Sequence, residues 1–227
     1  MILKVWRIRV IAFIVYAPTN SGLSYVRAKG LRFIQSRYSE RELDVREVRG
    51  ESIPQLLNEA KETEFAFGIV GEDLLWNYRR SICGSDPLVI DSLNLAYTES
   101  YASSVFGLPT LCLIGKEGMS IDDARAVAKE RYVPTIMPQL QGKRIAIPAR
   151  YSRLIQTCIS QADIEWVKLD RKVDVTAATD QSIDYAVDIV LTGKTCKEAS
   201  LGIYAVLCKS DGVILGSENV QALWRKF

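Results

Sequence analysis

The chain has 227 residues, 48% of them hydrophobic and 25% charged, with a net charge of +2. Those values fit a soluble globular protein with core enough for one large domain or two lobes. They give no electrostatic footprint for nucleic acid or an anionic membrane. Histidine is absent, which excludes Ser-His-Asp and Cys-His catalysis and His-ligated metals. The five cysteines (83, 112, 158, 196 and 208) show no Cys-x-x-Cys spacing. Several lie in apolar runs, so they are expected to be reduced core thiols of a cytoplasmic protein.

The first apolar run, near 7–17, is too short for a spanning helix and runs into Pro18. It reads as a buried strand rather than a signal peptide. A helix is expected near 22–36, with Leu23, Val26, Leu31 and Ile34 on one face. Leu43–Val48 alternates like a strand. Ser52 and Gln55 form a capping-box pattern, with Pro54 in the first turn of a helix to about 61. Residues 65–71 read as a buried strand and 72–78 as the start of a helix. Two longer strands bracket residues 98–106. Ser120, followed by Asp122 and Asp123, begins a helix through Lys129. Pro134 and Pro138 break the chain before a strand at 143–147. A helix near 151–160 follows, then strands at 163–169, 184–191, 202–208 and 212–217. A last helix begins near 218.

Strands alternating with helices predict an α/β fold with mixed, mostly parallel sheets. If there are two lobes, the chain crosses near 90–95 and again near 195–202. The expected division is 1–92 completed by 198–227, with 93–197 as the second lobe.

The most suggestive segment is "DYAVDIVLTGKT", 184–195. It lacks the early glycine of a Walker A loop, since Asp188 occupies that position. Backbone N–H groups at a glycine turn entering a helix, with Thr192 and Thr195 hydroxyls, suit a monophosphate. Asp184 and Asp188 upstream suit ribose hydroxyls or a water-bridged magnesium ion. A plain strand end with a Thr/Gly turn and two exposed acids is the competing reading. The second segment is "GIVGED", 68–73. It places a tight turn and a helix N-terminus at a strand end, where open α/β sheets commonly bind ligands. A structural strand-to-helix turn is its alternative.

Taken together, Arg49-Gly50-Glu51-Ser52-Ile53-Pro54, Ala66–Asp73 and 184–195 resemble the short form of ATP phosphoribosyltransferase, the first enzyme of histidine biosynthesis. The likeness spans about 45–217, with extra residues around 98–106 and 121–141. It implies two lobes of the type II periplasmic-binding-protein kind, with the active site in their cleft. It also implies attack of ATP N1 on C1 of phosphoribosyl diphosphate, with Mg2+ assisting pyrophosphate departure. By position, Thr192, Gly193, Lys194 and Thr195 would hold the 5′-phosphate. Asp184 and Asp188 would face the ribose, Asp188 also the metal, and Arg49, Gly71 and Asp73 would contribute to substrate binding. A homo-oligomer, with or without a separate regulatory subunit, is implied too, and Val220, Leu223 and Trp224 could serve such a contact.

The departures are specific. The family's Lys and Arg after the first strand are missing from "APTNSGLSY" (17–25), and Ala66 replaces an acid. A non-catalytic homologue sensing a phosphorylated small molecule is therefore the second reading, and a structural subunit without ligand the third. Arg27, Lys29 and Arg150 are candidates to replace the missing cations.

Overall fold

The computed structural model describes residues 12–19, 24–60, 64–80, 87–94, 103–129, 138–159, 163–170 and 182–220. The chain divides into two units. One comprises Met1–Gly71, Cys83–Leu93 and Gly212–Phe227, and the other Glu72–Ile82 and Asn94–Asp211.

In the first unit, the continuous apolar run Phe13–Pro18 is buried at all six positions and forms the inner strand β1. A strand covered on both faces needs no polar alternation. It pairs in parallel with β2 (Leu43–Val48) and with β3 (Ala66–Gly71). The reversed strand β10 (Gly212–Gly216) follows, antiparallel to β3 and to β4 (Leu88–Ser92), giving the order β2-β1-β3-β10-β4. Four strands thus share a direction and one opposes them. The alternating β2 is an outer strand, which is why Val45 stays 43% exposed.

Helix α1 (Ser24–Arg37) buries Val26, Gly30 and Ile34, a four-residue spacing along one face. A Cβ at Gly30 would sit 2.7 Å from Ile69 Cγ2, so the glycine sets how closely helix and sheet approach. Leu31 falls at the margin of that face and is half-buried, while Leu23 lies outside the described residues.

The capping box expected at Ser52 does not form. Gly50–Ser52 is already a 3-10 turn, so Ser52 has helical torsions (φ −87°, ψ −17°) and makes no side-chain cap to α2 (Ile53–Asn58). Gln55 Nε2 instead donates to Glu59 Oε1 at 2.7 Å, one turn further on.

The second unit repeats the arrangement. Its order is β7-β6-β8-β5-β9. Strand β6 (Arg144–Pro148) is parallel to β7 (Glu165–Leu169) and to β8 (Tyr185–Val190). Strand β5 (Thr110–Gly115) runs against β8 and β9 (Gly202–Lys209). Helix α4 (Ile121–Lys129) is capped as the sequence suggests: the Asp123 N–H donates to Ser120 Oγ at 3.2 Å, and Ser120 Oγ–H donates to Asp123 Oδ2 at 2.6 Å. Helices α3 (Glu72–Arg79), α5 (Ser152–Cys158) and α6 (Lys194–Glu198) complete it.

The unit boundaries differ from those expected. Helix α3 belongs to the second unit because its N-terminus is bonded to residues 210–211. The chain returns to the first unit at Gly212 rather than 198, because β9 is hydrogen-bonded into the second sheet. The last helix begins at Glu218 and buries Val220; Leu223 and Trp224 lie outside the described residues.

Gly118 and Gly202 bring two backbones together beside the Met119–Ile203 bridge, and a Cβ at 202 would fall 2.1 Å from the Gly118 carbonyl oxygen. Backbone cannot yield as a side-chain tip does. Gly202→Ala is expected to lower unfolding free energy by about 1–3 kcal/mol, measured by urea titration. A variant as stable as the parent would show that the two segments separate freely.

Candidate functional site

The turn after β8 is built from three directions. Gly193 has φ 72°, the left-handed region that favours glycine. A Cβ there would also meet Ile121 Cγ2 at 2.5 Å, so α4 packs directly over the turn. Arg125, one turn further along α4, donates from Nη2 to the Thr192 carbonyl at 3.0 Å and to the Ser103 carbonyl at 3.4 Å. The Val105 N–H donates to the Leu191 carbonyl at 2.8 Å. Thr192 and Thr195 are exposed, and Thr192 Oγ1 accepts the Lys194 N–H at 3.4 Å. Lys194 extends outward, its Nζ 3.7 Å from Glu198 Oε1.

Asp188 lies on β8 opposite Cys112 of β5, and its side chain is 5% exposed. Its Oδ1 accepts the N–H of Ile189 at 2.8 Å. Burial, with the Asp188 charge added, pushes the Cys196 thiol up to about 11. Burial raises Cys112 well above its ordinary value too, with smaller contributions from Cys196, Cys208 and Asp188. The four described cysteines are unpaired thiols, and Cys83 lies outside the described residues.

Asp184 is not brought to the turn. It precedes the first residue of β8, and the length of that strand, roughly 20 Å, separates it from the turn. There it accepts the Arg144 N–H at 2.9 Å and Lys143 Nζ at 3.1 Å. Its own N–H returns to the Arg144 carbonyl. Asp184 therefore clasps the starts of β6 and β8.

Asp73 anchors a separate buried cluster. Its N–H donates to Ser210 Oγ at 3.2 Å, and the Ser210 hydroxyl donates back to its carboxylate. Burial, then the Asp73 charge, raises the Tyr151 phenol well above its usual value. Arg150 stacks over the Tyr151 ring at 4.9 Å. Burial and Asp73 together push the Cys208 thiol up to about 12. Asp73 thus serves the joint between α3 and the end of β9.

Arg49 and Gly71 belong to the first unit. Arg49 is exposed and its carbonyl accepts the Ser52 N–H, while Gly71 ends β3 opposite Gly212. Arg27 is paired with Glu47 at 2.9 Å, and Lys29 Nζ donates to the Leu93 carbonyl. Sequence reasoning missed Arg125, Ser104, Tyr151 and Ser210. Arg125 reads as part of the solvated face of an amphipathic helix, and the serines as ordinary loop residues.

No family profile and no curated protein matches the sequence. Solved structures do share its fold. The chain is similar to the ATP phosphoribosyl transferase (HisG:HisZ) complex from Thermotoga maritima, with 18% identity, a TM-score of 0.58, and 94% of this chain and 92% of that chain covered. It is similar to the aliphatic sulphonate binding protein SsuA from Escherichia coli, at 14% identity and TM-score 0.59, covering 96% and 68%. YhfZ from Shigella flexneri gives 12% identity and TM-score 0.59, covering 96% and 85%. The fold is periplasmic-binding-protein-like. At these identities the likeness concerns the fold alone, and it spans a transferase and a binding protein alike. Among the described residues no helix is long and apolar enough to cross a membrane.

The Asp184 clasp has a pH signature. The Arg144 N–H, and then Lys143, hold its carboxyl below the usual carboxylate value. A depressed carboxyl contributes stability above its unfolded value and loses it as pH falls through the folded one. Asp184→Asn should therefore melt below the parent at pH 7, with the two melting curves converging below about pH 4. A gap that stays constant with pH would assign the effect to shape rather than charge.

Proposed function

We propose that the chain is a phosphoribosyltransferase of the ATP phosphoribosyltransferase type, binding phosphoribosyl diphosphate at the 188–195 segment. The observation that carries this reading is the Thr192-Gly193-Lys194-Thr195 turn. It lies at the end of a parallel strand with the acid Asp188 inside it, in a fold that a phosphoribosyltransferase shares. In the reaction, ATP N1 forms a bond to ribose C1 as the bond from C1 to the pyrophosphate oxygen breaks. The electron pair leaves with pyrophosphate. A neutral ring nitrogen needs no strong base, so a chain without histidine can support the step. Thr192 and Thr195 supply hydroxyl donors to the 5′-phosphate, and Lys194 leaves Glu198 to meet its charge. Asp188 orients the ribose by accepting from its hydroxyls.

Asp188 is the carboxylate that would hold a magnesium ion, through water, with substrate phosphate oxygens completing its shell. In this reading magnesium arrives on the diphosphate as part of the substrate. A second chain as partner, of the kind paired in the HisG:HisZ complex from Thermotoga maritima, belongs to this proposal, as do self-association and a cytoplasmic setting.

One set of observations favours the second reading, a binding homologue that senses a phosphorylated molecule without turnover. Asp184 is committed to β6, and Arg27 and Lys29 are committed within their own unit.

Thr195→Ala is the direct test, because Thr195 is exposed and its loss leaves the fold intact. Replacing Gly193 is not informative, since Ile121 forbids a side chain there whatever the turn binds. Calorimetry should show phosphoribosyl diphosphate binding weakened by about 1–3 kcal/mol in Thr195→Ala. Release of pyrophosphate on adding ATP supports the transferase. Binding without release supports the sensor, and unchanged affinity in the variant removes both.

A further inference from the structure

Beside the turn, and independent of what the turn binds, the second unit holds a cavity of about 440 Å3, a size ordinary for a small-molecule site. Ser103, Ser104, Val105, Phe106, Arg125 and Lys129 line it. Two features mark it as unfinished. Ser104 is 9% exposed and its Oγ has no hydrogen-bond partner. Arg125 has a buried Nε that is likewise unpartnered, although its Nη2 is held by the Thr192 and Ser103 carbonyls. Buried polar groups without partners are uncommon, because each forfeits its hydration.

The charge is one-sided as well. Arg125 and Lys129 are both cationic, and no acid lines the cavity among the described residues. Asp122, which feels the Arg125 charge, is committed to Lys197 at 2.7 Å. The guanidinium is held in place by two carbonyls that leave its charge uncancelled. Val105 and Phe106 add an apolar wall.

We infer that this cavity binds a small organic anion, a phosphate ester with a compact apolar body. Arg125 Nε and the Ser104 hydroxyl donate to its oxygens, Lys129 supplies charge at the mouth, and Phe106 faces the body. The side chain that would hold the anion also holds the Thr192 carbonyl. Occupancy therefore bears on the geometry of the turn after β8.

The test is calorimetry of the full chain with phenyl phosphate and, separately, inorganic phosphate. Phenyl phosphate should bind more tightly, through the apolar wall. Ser104→Ala removes an unsatisfied hydroxyl, so it should melt no lower than the parent yet bind phenyl phosphate about three- to tenfold more weakly. Lys129→Gln should keep the melting temperature and lose about two- to fivefold in affinity, with a shallower salt dependence. Three outcomes overturn the assignment: no binding of phenyl phosphate at millimolar concentration, wild-type affinity in Ser104→Ala, or loss of binding in Thr195→Ala instead.

Discussion

The geometry around the candidate site depends on how α4 sits on the turn after β8. Ile121 occupies the space a Cβ at 193 would need, and Arg125 grips the carbonyl of Thr192. A glycine in the left-handed region is costly to replace even in the open. Here the conformational demand and the packing demand coincide at one position. The backbone of 191–193 is therefore fixed before any ligand arrives, which is the preorganisation a binding turn requires. The same packing explains Gly193 without reference to phosphate, so the glycine alone carries no functional information.

The two sheets show why α4 can be there. In each, three parallel strands are followed by one reversed strand and then a fourth in the original direction. In the second sheet the reversed strand is β5, and α4 follows it directly in the chain. In a right-handed parallel unit the helix runs back antiparallel to its strand and returns the chain to the start of the next one. Helix α4, following the reversed strand, packs on β9 and presents Ile121 and Arg125 to the turn that follows β8.

Much of this fold was legible in the sequence, because burial and periodicity are local. Strands β1, β3 and β5 are nearly continuous apolar runs, and the Ser120 cap follows from Ser-x-x-Asp spacing. What was not legible depends on contacts distant in sequence. Ser52 has the right neighbours for a cap, but a preceding 3-10 turn removes the extended torsions that a cap needs. The place of β9 could not be read from its own residues. It rests on the pairing with β5, almost a hundred positions earlier. Asp184 and Asp188 look equivalent along the chain, four apart. A strand separates such residues by about 13 Å, enough to put one at the clasp with Arg144 and the other near the end of β8 that leads into the turn.

The resemblance that identified 184–195 treated residues around 98–106 as additions to the pattern. Yet Val105 donates to the carbonyl of Leu191, and the Ser103 carbonyl shares the Arg125 guanidinium with Thr192. The added segment is thus bonded into the turn it seemed to interrupt. Val105 and Phe106 also join the hydrophobic cluster that contains Cys112, Ile121, Val190 and Cys196. Removing 103–106 would withdraw packing from α4 and β8 together. A motif read along one strand describes half of such a turn; the other half comes from a loop about eighty-five residues away and from a helix between them. Residues conferring any selectivity particular to this chain are better sought in that loop and helix than in the motif, since the motif is the part most like other proteins.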